Sequence, residues 1–384
     1  MADVNFKFTW MNRASYVAIF SFRQSHCVSR KHILKTSVLG VLFLLLALGI
    51  FPAAHAAVPY ATGDVFAGVG NGAVSQFSPT GTLKNTLQTT SGSSEETGMC
   101  FDANSNLFVT NFEAQTVSKF DSSGNLIAAD WYTFPGSPES CVVNNAGDIY
   151  FGGGGLSSIY ELSDSGTSGT LVNSWSVTTS RGSDWLDLSA DQCTMQYTTE
   201  SSSILRFNVC TGTQLSNFVN GLSGTCFANR IIPGSGGEVL VACEQAAYLL
   251  SPTGTVLQTY TPGGETFMFA LNLDPDGTSF WTAGYETGNI YRIDIATGAV
   301  LTTFNAPHYQ SVAGLAIFNE PTVGCQTCTS TTTSTTTSTT AQGVPELGIG
   351  AGAGASTMLA AAIGILAVAM LVRIKRLPVQ RPIP

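Results

Sequence analysis

The residues of this 384-residue chain best suited to chemistry are carboxylates, and they recur at set offsets. Glu113, Glu200 and Glu286 each stand five residues beyond the centre of a short hydrophobic strand, and Glu244 stands four beyond another. A second set, Glu95, Glu96, Glu139, Asp184 and Glu265, lies just ahead of segments with alternating apolar residues. Convergent carboxylates suit a hard cation such as Ca²⁺, which takes six to eight oxygens and offsets their repulsion. If their connectors meet, Glu96, Glu139, Asp184 and Glu265 are the expected ligands of such an ion. The competing reading is that they are exposed turn residues, acidic because the whole region is acidic. Residues 57–343 hold six Lys and Arg against 23 Asp and Glu, a net charge of about −17. That balance argues against nucleic-acid partners, which need Lys and Arg to displace counterions from phosphates. It fits cation binding or solubility.

Other chemistry has less to stand on. Beyond residue 56 the only histidine is His308, in Ala306-Pro307-His308-Tyr309-Gln310. Near carboxylates it would be a general base; otherwise it is a surface loop residue. No Ser/His/Asp order, H-E-x-x-H or P-loop occurs. Gly152-Gly153-Gly154-Gly155 opens no helix, so it is expected to let a connector turn tightly and not to cradle phosphate. Trp131, Trp175, Trp185 and Trp281 fall in or beside predicted strands and are expected to pack between sheets, in preference to forming a sugar platform.

Nine cysteines become eight once Cys27 leaves with a leader, an even number suited to an oxidising compartment. Cys193 and Cys210 are symmetric about Ser201-Ser202, and Cys226 and Cys243 about Gly234-Ser235. In hairpins turning there, each pair is close enough to bridge. Cys100 and Cys141 open the first strands of neighbouring units and would staple them together. Cys325 and Cys328 form a C-x-x-C, read as a local disulfide because a metal would need two more ligands.

These residues are positioned by a unit of about 42 residues that recurs six times over residues 65–304. Strands centred on Phe66, Phe108, Tyr150, Met195, Leu240 and Trp281 are 42, 42, 45, 45 and 41 residues apart. Each is followed by a second strand, such as Val117-Ser118-Lys119-Phe120, then a Gly turn and a third strand. A period of this size made only of short strands and turns is the signature of a propeller blade. The expected fold is all-β, a six-bladed β-propeller over residues 57–320. Ala313-Gly314-Leu315-Ala316-Ile317-Phe318 should supply the inner strand of the first blade and so close the ring. In that geometry the connectors holding both carboxylate sets emerge on one face.

The strand-turn patterns Asp102-Ala103-Asn104-Ser105-Asn106-Leu107-Phe108-Val109 and Leu273-Asp274-Pro275-Asp276-Gly277-Thr278-Ser279-Phe280-Trp281 resemble the NHL-repeat and gluconolactonase-like six-bladed propellers. The resemblance spans roughly residues 60–320 and implies the fold. That superfamily includes lactonases, a lyase and binding modules, so function must be argued from the site. Its lactonases hold a divalent metal with a Glu and Asn/Asp ligands, a set that maps onto no unique positions here. Its lyase uses a histidine base.

Residues 1–56 read as a signal peptide or extended leader. Arg30, Lys31 and Lys35 precede an apolar run over 38–51 and the Ala54-His55-Ala56 site, with cleavage expected after Ala56 and an uncleaved anchor as the alternative. Residues 321–343 hold the C-x-x-C and a Ser/Thr-rich stalk. The apolar stretch 349–372 would reach about 36 Å as a helix, enough to span a bilayer. Arg373, Lys375 and Arg376 then place the tail, 377–384, in the cytoplasm. Over residues 344–376 the order of Val344-Pro345-Glu346, apolar helix and basic cluster resembles PEP-type and archaeal sorting signals. That implies sortase-like processing, with a permanent anchor as the other outcome. The expected protein is a single-pass cell-surface binding module for an extracellular protein, glycan or small molecule. A metal-dependent, lactonase-like hydrolase is the alternative.

Overall fold

The computed structural model describes residues 58–323 except Ser93 and Gln310. The leader, Cys325, Cys328, the stalk and the C-terminal apolar stretch lie outside the described residues. Twenty-four strands form six four-stranded antiparallel sheets. The first sheet contains β1 (Val65–Gly70), β2 (Ala73–Phe77) and β3 (Leu83–Gln88). The second is β4 (Glu96–Phe101), β5 (Leu107–Asn111), β6 (Thr116–Phe120) and β7 (Leu126–Thr133). The third is β8 (Ser140–Val143), β9 (Ile149–Gly152), β10 (Ser158–Asp164) and β11 (Gly169–Ser176). The fourth is β12 (Leu186–Leu188), β13 (Thr194–Tyr197), β14 (Leu205–Asn208) and β15 (Thr213–Gln214). The fifth is β16 (Cys226–Ile231), β17 (Val239–Cys243), β18 (Ala246–Leu250) and β19 (Val256–Tyr260). The sixth is β20 (Met268–Leu273), β21 (Ser279–Gly284), β22 (Asn289–Asp294) and β23 (Val300–Asn305). The last strand, β24 (Gly314–Ile317), returns to the first sheet and pairs Val65 with Ile317 and Gly68 with Gly314.

The innermost strands contact one another in a closed cycle, β24 to β4, β8, β12, β16, β20 and back to β24. Glycine permits the closest approaches. A Cβ on Gly314 would stand 1.7 Å from the Thr97 carbonyl oxygen, and one on Gly98 would stand 2.4 Å from that of Glu139. Between sheets the core is aromatic, as expected of the tryptophans. Buried Trp131 meets Phe108 at 4.9 Å and Phe151 at 6.1 Å, joining the second blade to the third. Many acidic residues shape turns and are not free for ligands. Asp102 accepts the N–H groups of Asn104 and Asn106, and Asp121 those of Ser123 and Asn125, each within 2.9 Å. Such Asx turns close hairpins at modest entropic cost.

Three disulfides join Cys100 to Cys141, Cys193 to Cys210 and Cys226 to Cys243, with Cα separations of 5.7, 5.1 and 3.8 Å. The first links the inner strands of the second and third blades. The third depends on a β-bulge. Ala228 to Ile231 pair in one register with Ala242 to Val239, and a shift at Phe227 brings Cys226 opposite Cys243. The same irregularity recurs one blade on, where Met268 pairs with Gly284 but Ala270 with Ala283, leaving Phe269 as the extra residue.

Candidate functional site at the channel mouth

Connectors from outer to next inner strand, and from second to third strand, share one face of the ring. Side-chain and backbone contacts of the connectors and the adjoining strand ends run from blade to blade around this face. The Tyr285 hydroxyl donates to Glu95 at 2.9 Å, and the Glu95 carbonyl accepts the Phe112 N–H at 2.9 Å. The Phe112 ring lies 5.7 Å beneath the Arg181 guanidinium, which pairs with Glu200 and stands 3.9 Å from Glu139. The Ser140 hydroxyl, next to Glu139, donates to the Asp184 carbonyl at 2.5 Å. The Asp184 N–H reaches the Thr198 carbonyl at 3.1 Å, and the Thr198 hydroxyl donates to the Phe227 carbonyl at 2.7 Å. Phe227 stacks on Phe269 at 5.0 Å, and Phe269 meets Tyr285 at 5.1 Å, closing the circuit.

The four carboxylates expected to share a cation fall into three separate settings. Glu96 is fully buried toward the first blade, where its carboxylate accepts the Ala73 N–H at 2.9 Å and the Ser91 hydroxyl at 3.2 Å. Burial pushes its pKa up to about 8, against the pull of those hydrogen bonds. Glu265 turns into the sixth blade and accepts from Thr287 at 2.9 Å, Asn289 at 2.9 Å and Tyr291 at 2.8 Å. Both carboxylates are therefore occupied by local donors, Glu96 by the first blade and its connector and Glu265 by the sixth blade. Only Glu139 and Asp184 are brought together. They are 2% and 1% exposed, and Glu139 Oε2 and both Asp184 oxygens have no hydrogen-bond partner. Burial raises the pKa of each, the Asp184 charge raises that of Glu139 further, and Arg181 opposes both shifts. Among the described residues no three His, Cys, Asp or Glu side chains are gathered to hold a metal. Ca²⁺ needs six to eight oxygens, so the four-carboxylate site is not assembled as the spacing suggested, because two members prefer local hydrogen bonds.

No protein-family model matches this chain, and no curated protein matches it by sequence. Solved structures do. The chain is similar to one chain of a nidogen/laminin complex, at 14% identity and a TM-score of 0.53, over 66% of this chain and 97% of that one. A protein of unknown function from Bacteroides caccae matches at 13% identity and a TM-score of 0.53, over 66% and 98% of the two chains. The WD40 β-propeller domain of Doa1 matches at 14% identity and a TM-score of 0.50, over 66% and 81%. The fold is a six-bladed β-propeller. Identities this low carry the architecture and no activity.

Elsewhere on this face the propeller ties off its one candidate base. The His308 ring nitrogens face the carbonyl oxygens of Ala306 at 3.0 Å and Glu286 at 3.2 Å, not a carboxylate. The glycine run does turn a connector tightly. A Cβ on Gly154 would stand 2.6 Å from Glu139 Oε2 and 2.7 Å from Arg181 Nη2, so glycine here lets those two groups meet.

An aromatic group that reaches Glu95 through Tyr285 was not among the expected site residues. Phe227, Phe267, Phe269 and Tyr285 lie within 4.9 to 6.0 Å of one another in five ring contacts. The main core takes in Cys226, Ala228, Met268 and Ala270 but neither phenylalanine between them. Each bulge has rotated its extra residue out of the interblade packing, a common use of bulges beside functional sites. The available signal was a Phe directly after Cys226 and another after Met268, at matching places in consecutive repeats.

Proposed function

We propose that this propeller is an extracellular binding module, tethered at the cell surface, that presents the channel mouth to a partner. The observation that carries the proposal is the circuit itself. One face gathers carboxylates, a guanidinium and a partly buried aromatic group, linked from blade to blade by hydrogen bonds, an ion pair and ring contacts. Sites on rigid elements of this kind bind without a large ordering cost. Three disulfides fit an oxidising compartment, in keeping with the leader, stalk and anchor read from the sequence. A similar chain occurs in a nidogen/laminin complex, which supports a protein as the partner class over a glycan or small molecule. Among the described residues no three His, Cys, Asp or Glu side chains are gathered for the metal that the hydrolase alternative would use.

Site-specific photo-crosslinking in the native membrane tests this. A photoreactive residue at Phe112 or Phe267 should capture a partner, while one at Ala146 or Gly254, in turns on the opposite face, should not. Adducts confined to the opposite turns would contradict the proposal.

A further inference from the structure

The mouth holds more acceptor capacity than the propeller itself uses. Glu95, Glu113, Glu139, Asp184 and Glu200 surround it, against the single cation Arg181. The other basic residues of residues 58–323 are engaged elsewhere: Lys84 with Asp64, Lys119 with Asp164, Arg230 with Glu320 and Arg292 with Asp274 and Asp276, while Arg206 bonds Ser216. Asp184 is 1% exposed with neither carboxylate oxygen hydrogen-bonded, and Glu139 Oε2 beside it accepts no hydrogen bond and has Arg181 at 3.9 Å as its ion-pair partner. Arg181 already shows what satisfies this place. Its guanidinium rests over the Phe112 ring and against Glu200, yet its side chain is 39% exposed and makes no hydrogen bond to Asp184. It lies on the solvent side of Glu139, its side chain 39% exposed against 3%. Across the mouth, Phe267 and Tyr285 are half-buried and form an apolar wall with Phe227 and Phe269.

We infer that the mouth takes the basic side chain of a partner protein, an arginine or lysine on an extended segment, which displaces Arg181 and sets its charged end on Asp184 and Glu139. A guanidinium supplies five donors in a planar fork that matches a carboxylate. Its alkyl stem would lie along the aromatic wall, where ring faces attract cations. An anionic partner would meet repulsion from the carboxylates of the mouth. The inference rests on the binding-module reading and names the chemistry of its ligand.

The test uses the full chain in nonionic detergent and an array of pentapeptides randomised around a central arginine, lysine, citrulline or glutamine. Arginine or lysine peptides should bind, and their neutral counterparts should bind at least tenfold more weakly. Arg181→Gln should tighten the arginine peptides by at least fivefold because it removes the internal competitor. Arg206→Gln makes the same charge change away from the mouth and should alter affinity by less than twofold. Asp184→Asn should weaken binding while the chain stays folded by circular dichroism. Phe267→Leu, which removes a ring of the aromatic wall without removing charge, should weaken it about two- to fivefold. Equal binding of arginine and citrulline peptides, or equal effects of the two arginine variants, would overturn the inference while leaving a binding module in place. Absence of binding in both the native chain and Arg181→Gln would overturn it as well. Free n-butylguanidine binding as tightly as the best peptide would overturn the assignment to a protein partner.

Discussion

At the scale of residues, the unusual feature is a pair of adjacent buried carboxylates kept without full compensation. A buried charge lacking hydrogen bonds costs the folded state dearly, so Asp184 should be a stability liability in the unliganded protein. Asp184→Asn keeps the shape and removes the charge. It should stabilise the protein by about 2 kcal/mol near pH 8 and by little near pH 5, as read from denaturant midpoints. The pH dependence has a definite sign. Burial raises Glu96 from an ordinary 4.5 to about 8, so above pH 4.5 the unfolded chain has lost a proton that the folded chain still holds. Glu139 and Asp184 are shifted the same way, chiefly by burial. Stability from these groups is complete below about pH 4.5 and is lost as pH rises toward 8. Thermal scans should show Tm falling over that window, with a shallower fall in Asp184→Asn; a Tm that climbs from pH 5 to pH 8 would contradict the assignment. Because Glu96 and Glu265 are already occupied by hydrogen-bond donors of the fold, millimolar Ca²⁺ should raise Tm no further than NaCl of equal ionic strength.

At the scale of elements, the ring depends on places where backbone approaches backbone. Gly314 is the sharpest case, since a Cβ there would stand 1.7 Å from the Thr97 carbonyl oxygen and the strand it belongs to is the clasp. Gly314→Ala should cost about 3 kcal/mol or more. Native-state hydrogen exchange should locate the loss first in β1 and β24. Uniform loss across all blades would argue that the clasp is not the weak point. Much at this scale was legible in the sequence. The 42-residue period reports a unit that cannot bury its faces alone, and the symmetric cysteine spacings report hairpins. The bulges were not legible, because a bulge is an accommodation between two strands and leaves no compositional mark on either. For that reason nothing in the spacing singled out Phe227 and Phe269. The fate of Glu96 and Glu265 was hidden likewise. Their offsets place them at the mouth, but hydrogen-bond donors contributed by Ala73, Thr287, Asn289 and Tyr291 turn them away from it.

At the scale of the whole molecule, the face of this acidic, disulfide-linked propeller that carries the mouth differs from the other in the side chains it presents. The opposite face is closed by Asx turns such as those at Asp102, Asp121 and Asn144, while the mouth carries unpartnered carboxylates and the aromatic wall. The central claim is that this face binds. The most direct measurement is hydrogen–deuterium exchange on the full chain with and without the tightest binder from a peptide and glycan array. The account predicts protection at residues 94–97, 112–113, 180–185, 265–269 and 285, all around the mouth. Protection confined to the turns at residues 102–106, 144–148 and 251–255, with the mouth unchanged, would contradict it.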